Sequence, residues 1–140
     1  MPNEQDRLTT VFIYGSLLPG LSNHHVVAGF ILASKPGIIK GRLVDYGPYP
    51  ALLRDEMART NDSVVRGMWI TVNGQGLRNM DELEQFMGIE EDNDYDRIWV
   101  TDIAQPEQSG WVYVWDTPRG CPPIEESYWP DYFARKRGLA

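Results

Sequence analysis

A carboxylate within an apolar helix stripe is the clearest chemical signal in the sequence. Residues 77–87 have the spacing of an amphipathic helix, in which each residue advances by about 100° around the axis. Leu77, Met80, Leu83 and Met87 then share one arc of roughly 120°, and Glu84 falls inside it. Burial disfavours a charged carboxylate and raises its pKa, which suits a general acid or base. Glu84 is therefore a catalytic candidate; the alternative is an edge position that reaches solvent or an arginine.

A second candidate is the turn that follows the first predicted strand. Tyr14, Gly15, Ser16 and Leu17 leave that strand at a glycine, where the backbone can turn sharply and aim several N–H groups at one point. Such donors can bind a carboxylate or stabilise an oxyanion. We expect Gly15 to adopt a conformation that is costly for a residue with a Cβ. The turn lacks the GxxxxGK[ST] and GxGxxG spacings of phosphate sites, and similar turns also occur without any function.

The surrounding pattern predicts a strand-rich α+β fold that positions these two candidates. β-Branched and aromatic residues predict strands at 8–14, 38–46, 63–72, 95–103 and 111–116, with a break at Pro36 and Gly37. Helices are predicted at 23–30, at 77–87 with Gly88 as its end, and at 124–137 with a break at Pro130. Because the few helices do not alternate regularly with strands, we expect one domain over residues 1–140, built on a mixed sheet or small barrel.

Composition argues against several classes of function. A net charge of −7 and a pI near 4.7 disfavour nucleic-acid binding, which needs clustered Lys and Arg. Apolar runs fall short of the roughly 20 residues of a membrane span, and residues 1–7 do not resemble a secretory signal. The single cysteine, Cys121, fits a reducing compartment, so we expect a cytoplasmic protein. No metal is expected, because HExxH and CxxC are absent and the acidic run 90–96 does not match an EF-hand loop.

Four segments together resemble the gamma-glutamylcyclotransferase-like family, which includes the AIG2-like proteins. They are VFIYGSLLPG at 11–20, YGPYPALL at 46–53, MDELE at 80–84 and YDR at 95–97. The resemblance implies a small mixed β-barrel flanked by short helices. It implies that Glu84 is catalytic and that five residues bind or line the substrate, the last in a looser alignment: Tyr14, Gly15, Ser16, Leu17 and Tyr128. Many members have Gly after the glutamate where this chain has Gln85, so the helix is expected to continue here.

The resemblance also implies an enzyme that needs no cofactor and acts on a small γ-glutamyl compound. The implied reaction is intramolecular aminolysis, in which the substrate's α-amine attacks its γ-amide carbonyl and 5-oxoproline is released. Glu84 would move the protons. The backbone N–H groups of Gly15 to Leu17 would hold either the oxyanion or the α-carboxylate. The alternative is a non-catalytic module that retains the pocket and binds a small ligand, and the leaving amine and the oligomeric state stay open.

Overall fold

The computed structural model describes residues 8–21, 24–47, 49–85 and 96–136 of the 140-residue chain, without the side chains of 26, 81–85 and 96. In chain order the elements are β1 (Thr9–Ile13), α1 (His25–Ala28), β2 (Ile31–Lys40), β3 (Arg42–Asp45), β4 (Pro50–Leu53), α2 (Glu56–Thr60), β5 (Val64–Val72), α3 (Gly74–Gln85), β6 (Asp96–Thr101), β7 (Ser109–Val114), β8 (Pro123–Ile124) and α4 (Trp129–Lys136). None of the described helices combines the length and apolarity needed to cross a membrane.

The strands form two sheets. A five-stranded sheet has the order β2-β5-β1-β7-β6, and a three-stranded sheet has the order β4-β3-β8. Neighbouring strands are antiparallel except β1 and β7, which are parallel, so the larger sheet is mixed. The predicted α+β, strand-rich fold is confirmed, although the described strands lie in two sheets and do not close into one barrel.

Two buried clusters cover opposite faces of the larger sheet. Successive side chains of a strand point to opposite faces, and accordingly Phe12 belongs to one cluster and its neighbours Val11 and Ile13 to the other. The inter-sheet cluster joins the two sheets and includes Phe12, Trp69, Leu43 and Leu52. The helix-side cluster joins the larger sheet to α1 and α3 and includes Val11, Ile13, Val27 and Met80.

The break predicted at Pro36 and Gly37 is wrong, because β2 runs through both residues. β2 is an edge strand, and a proline can stand at an edge because its missing N–H leaves no ladder bond unmade on the outer side. Gly37 faces the inter-sheet cluster, where a Cβ would collide with the Trp69 indole and lie 3.0 Å from Phe12 Cε1. The glycine is thus a packing requirement and not a turn signal.

Helix α3 begins earlier than predicted, at Gly74 instead of residue 77. Asn73 caps it, since its side-chain oxygen accepts from the Gly76 N–H at 2.9 Å. Gly76 is a poor helix former, yet a Cβ there would lie 2.8 Å from Phe30 Cβ, so close packing requires it. The predicted end at Gly88 lies outside the described residues.

The C-terminal prediction is partly wrong, and two short elements were missed. Residues 123 and 124 form β8, and α4 begins only at Trp129 with Pro130 in its first turn, where a proline does not break a helix. The missed elements are β4 and α2, both shorter than the periodicity can detect. Asp55 caps α2 by accepting from the Ala58 N–H at 3.1 Å.

A buried carboxylate joins three strands just after β6. Asp102 is 2% exposed. Its Oδ2 accepts from the Ile38 N–H and from the Trp69 indole, each at 2.9 Å, and its Oδ1 accepts from the N–H groups of Ala104 and Gln105 at 2.7 and 2.9 Å. Burial opposes the charged form, but these hydrogen bonds outweigh it and lower the pKa of the Asp102 carboxyl below its ordinary value.

Asp102→Asn should destabilise the fold by about 3 kcal/mol at pH 7, because an amide N–H would face donors that the carboxylate now satisfies. Since the folded-state pKa is lowered, the carboxylate stabilises the fold above the unfolded-state pKa of about 3.9 and loses this effect as pH falls through the folded-state value. The difference in free energy of unfolding between Asp102→Asn and wild type, measured by urea unfolding, should therefore be smaller at acid pH than at pH 7. Asp116→Asn, at an exposed position, is the control. Equal stability of Asp102→Asn and wild type at pH 7 would refute this role.

Candidate active site

The turn after β1, residues 14–17, is fixed at its first residue. Tyr14 is 7% exposed, and its hydroxyl donates to the Tyr113 carbonyl of β7 at 2.7 Å. The Gly15 carbonyl accepts from the Leu18 N–H at 3.0 Å, which closes a tight turn. The residues after Gly15 are also buried: Ser16, Leu17 and Leu18. The four predicted residues thus form a compact, well-packed turn.

A histidine holds the other end of the 14–17 turn. His24 Nδ1 donates to the Leu17 carbonyl at 2.8 Å, and because a carbonyl only accepts, the ring carries a proton on Nδ1. Among the described residues nothing accepts a hydrogen bond from the N–H groups of Gly15 and Leu17. Within the described part of the chain these two donors thus have no acceptor. The role of His24 could not be predicted from the sequence, since no local pattern links this residue to Leu17.

Gly15 is required for a different reason from the predicted one. Its φ lies outside the left-handed region, so the expectation of a strained backbone is wrong. A Cβ at this position would instead lie 2.7 Å from Cγ and 2.9 Å from Cδ of Pro50, the first residue of β4. Carbon atoms in ordinary contact are about 3.5 to 4.0 Å apart. The turn therefore packs directly on the three-stranded sheet, in the middle of the 46–53 segment.

Helix α3 meets the 14–17 turn in the helix-side cluster. Met80 is fully buried, as its place in the apolar stripe predicted, and it shares this cluster with Leu17. Leu77 is partly buried against the same cluster. Glu84 follows Met80 by one helical turn, about 40° further around the axis. Its side chain lies outside the described part of the chain, so its catalytic role stays a prediction.

Tyr128 borders the same cluster from the C-terminal segment. It is partly buried against the helix-side cluster, as Leu77 is. The Ser127 carbonyl accepts from the Arg66 N–H at 2.7 Å, and the Arg66 guanidinium carbon lies 4.9 Å from the centroid of the Tyr128 ring. Arg66 was not predicted as a site residue, although a charged residue within the apolar pattern of 64–72 is a visible signal in the sequence.

Two other features of the surface bear on ligand binding. Within the described ranges no group of three or more His, Cys, Asp or Glu side chains could hold a metal ion. A depression of about 430 Å³ lies beside Lys40, Arg54 and Arg59. It adjoins the Leu53 end of β4, whereas the 14–17 turn contacts the Pro50 end. None of the predicted site residues lines it.

Comparison with known proteins identifies the family. The family model described as "Gamma-glutamyl cyclotransferase, AIG2-like" matches residues 11–131. The chain belongs to this family. The AIG2-like chain is 34% identical, over 116 residues, to gamma-L-glutamyl-butirosin B gamma-glutamyl cyclotransferase from Niallia circulans; the match covers 78% of the chain and 68% of that relative. The family predicted from the four segments is thus confirmed.

Solved structures show the same AIG2-like fold. The chain superposes on YkqA from Bacillus subtilis with a TM-score of 0.73 at 16% identity, covering 94% of this chain and 43% of YkqA. It therefore spans less than half the length of YkqA. An AIG2-like protein from Mus musculus superposes with a TM-score of 0.61 at 25% identity, covering 87% of this chain and 88% of the mouse protein.

Gly15→Ala should destabilise the protein by about 2 kcal/mol, because its Cβ would overlap the Pro50 ring. Pro50→Ala removes Cγ and Cδ, so the double variant should recover part of that loss. We expect a favourable coupling of about 1 kcal/mol or more in a double-mutant cycle measured by urea unfolding. Gly29→Ala is the control, since nothing lies within 4 Å of the added Cβ. Strictly additive effects would mean that the Pro50 contact is not the reason for the glycine.

Proposed function

We propose that this chain is a γ-glutamyl cyclotransferase that converts a γ-glutamyl amide into 5-oxoproline and a free amine. The observation that supports this best is the helix-side cluster, in which the turn at Leu17, helix α3 at Met80 and the segment at Tyr128 meet. These are the segments in which the family resemblance implies substrate-binding and catalytic residues. The name of the Niallia circulans relative assigns it this activity on a γ-glutamyl compound.

In the proposed reaction the α-amine of the substrate attacks its own γ-carbonyl carbon. The new C–N bond closes the five-membered lactam, and the C–N bond to the leaving amine breaks. The α-ammonium loses two protons to become the lactam N–H, and the nitrogen of the leaving primary amine gains two to depart as an ammonium ion. Atoms and charge balance without a co-reactant. Because nucleophile and electrophile are parts of one molecule, proximity supplies much of the acceleration.

Glu84 acts in this proposal as the group that takes a proton from the α-ammonium and delivers one to the leaving amine. Its position one helical turn after Met80 supports the role, because Met80 and Leu17 lie in the same cluster. The N–H groups of Gly15 and Leu17 stabilise negative charge on the carbonyl oxygen as the tetrahedral intermediate forms. His24 keeps the turn in position through its bond to the Leu17 carbonyl.

We also propose a cytoplasmic location for the reaction. A single thiol, Cys121, is compatible with a reducing compartment, where disulfides are rare. Burial raises the pKa of the Cys121 thiol, and the nearby Asp45 carboxylate acts in the same direction. The thiol is therefore mostly protonated at neutral pH and poorly reactive.

Glu84→Gln should lower turnover by about 100-fold or more while preserving the fold, because the exchange is nearly isosteric and removes only the proton-transferring group. The assay is release of 5-oxoproline from γ-glutamyl amino acids and γ-glutamyl amines. Glu82→Gln is the matched control, since position 82 lies about 160° away around the helix and should be nearly silent. Glu84→Gln activity within a few-fold of wild type would rule out the assignment.

Ser16→Ala should retain activity within about 5-fold, because the backbone N–H survives and only the hydroxyl is lost. Mass spectrometry of the protein mixed with substrate should show no covalent adduct. Loss of turnover in Ser16→Ala, together with an acyl adduct on Ser16 in the wild type, would replace the cyclotransferase mechanism with that of an acyl-enzyme hydrolase. Wild-type protein that binds 5-oxoproline but cleaves no member of the panel would be a ligand-binding module.

A further inference from the structure

Arg66 lies on the helix-side face of β5, beside the 14–17 turn. Residues alternate between faces along a strand, so Arg66 shares a face with Met68, which packs against the helix-side cluster. Ile13 at the end of β1 pairs with Met68. Arg66 is two residues further along β5, next to the turn that starts at Tyr14. A Cβ on Gly67 would contact the Ile13 carbonyl, so β5 and the end of β1 approach closely here.

The Arg66 guanidinium contacts an aromatic ring and forms no ion pair with a carboxylate of the described residues. It lies over the Tyr128 ring at 4.9 Å, and the Arg66 backbone is bonded to the Ser127 carbonyl. No acidic group of the described ranges is within ion-pair distance, although the protein has a net charge of −7. Other arginines do pair with carboxylates, namely Arg42, Arg59 and Arg135. An exposed cation stacked on an aromatic ring is suited to bind an anionic group of a ligand.

We propose that Arg66 binds the α-carboxylate of the γ-glutamyl substrate and that Tyr128 fixes the plane of its guanidinium. The inference rests on the proposed function, because the turn beside Arg66 is where that function locates the substrate. A guanidinium can donate two parallel hydrogen bonds to one carboxylate. The N–H groups of Gly15 and Leu17 then stabilise the oxyanion. The turn alone could have held either the oxyanion or the α-carboxylate, and in this proposal it holds only the oxyanion. The substrate class is γ-glutamyl amides with a free α-carboxylate.

The test uses pairs of ligands that differ only in this carboxylate. 5-Oxoproline carries it, and 2-pyrrolidinone is the same lactam without it; γ-glutamyl amides and 4-aminobutanoyl amides form the corresponding substrate pair. Arg66→Gln should weaken 5-oxoproline binding, and lower kcat/KM for the γ-glutamyl amide chiefly through KM, by about 30-fold each. The same variant should change 2-pyrrolidinone binding and 4-aminobutanoyl amide turnover by less than about 3-fold.

Three further variants sharpen the assignment. Arg66→Lys should recover only part of the carboxylate preference, because an ammonium group is a point charge without the guanidinium fork. Tyr128→Leu should reduce the preference in the same direction but less, since the cation remains and only its support is lost. Arg54→Gln is the matched control, because this exposed arginine lies beyond the other end of β4 and should leave all four measurements unchanged.

If Arg66→Gln lowers affinity or kcat/KM equally for both members of a ligand pair, Arg66 is a structural residue and the assignment is overturned. The assignment is also overturned if the variant lowers neither. If Glu84→Gln abolishes turnover while Arg66→Gln keeps the preference, the cyclotransferase proposal stands and the carboxylate assignment fails. If the wild type releases no lactam from any amide, the proposed function fails. In that case the preference for 5-oxoproline over 2-pyrrolidinone in binding, measured by NMR for wild type and Arg66→Gln, still decides the role of Arg66.

Discussion

The Trp69 indole is the constraint on which the arrangement of the larger sheet depends. It is 1% exposed and lies in the inter-sheet cluster, where space exists only because glycines face it from two other strands. A Cβ on Gly37 of β2 would collide with the indole, and one on Gly110 of β7 would lie 2.8 Å from its Cζ3. Its Nε1 donates to Asp102 at 2.9 Å. A register slip by one residue would place a side chain where a glycine now stands, so the ring determines how β2 and β7 lie relative to β5.

The register of the sheet in turn determines the geometry of the site. Phe12 packs edge-on against Trp69, with ring centroids 5.1 Å apart, which couples β1 to the same indole. Because Ile13 then pairs with Met68, the turn that carries the Gly15 and Leu17 donors starts beside Arg66. The aromatic contact stabilises the inter-sheet face, while the donors and the guanidinium belong to the opposite side. In the proposed function, the groups that contact the substrate therefore lie on the face opposite to the Trp69 contacts.

The sequence predicted those elements in which local pattern and tertiary packing agree. The strand predicted at 8–14 is observed as β1, and Met80 lies on the buried face that the helical periodicity indicated. The predictions fail where a tertiary contact, and not the local propensity, decides which residue can stand at a position. Gly37 stands inside a strand because an indole covers it, and Gly76 stands inside a helix because Phe30 packs against it. Neither contact has a signature in the neighbouring residues, so Gly37 suggested a turn and the predicted helix began only after Gly76.

The candidate site was predictable to the same extent. The 14–17 turn and Glu84 were predicted from motif and periodicity, because each is a local pattern, and their roles stay predictions. His24, Pro50 and Arg66 act through partners that are distant in the chain or through the pairing of β1 with β5, and those relations exist only in the folded protein. The reason for Gly15 shows the difference clearly. The sequence suggested backbone strain, whereas in the structure the ring of Pro50, on another strand, occupies the space that a Cβ would need.

Cyclisation requires that a flexible substrate chain be bent so that its two ends meet. If Arg66 holds the α-carboxylate and the turn holds the γ-carbonyl oxygen, both ends are fixed, and the amine, which shares its carbon with the carboxylate, is brought to the carbonyl carbon. Substrate binding then restricts the chain before the reaction, so that the cyclisation step itself loses less conformational entropy. Arg66 stands on a paired strand and the 14–17 turn packs on Pro50, so both groups are held on rigid parts of the fold. The pairing of β1 with β5 determines where these two groups stand, so a change of that register would alter the fit of the substrate.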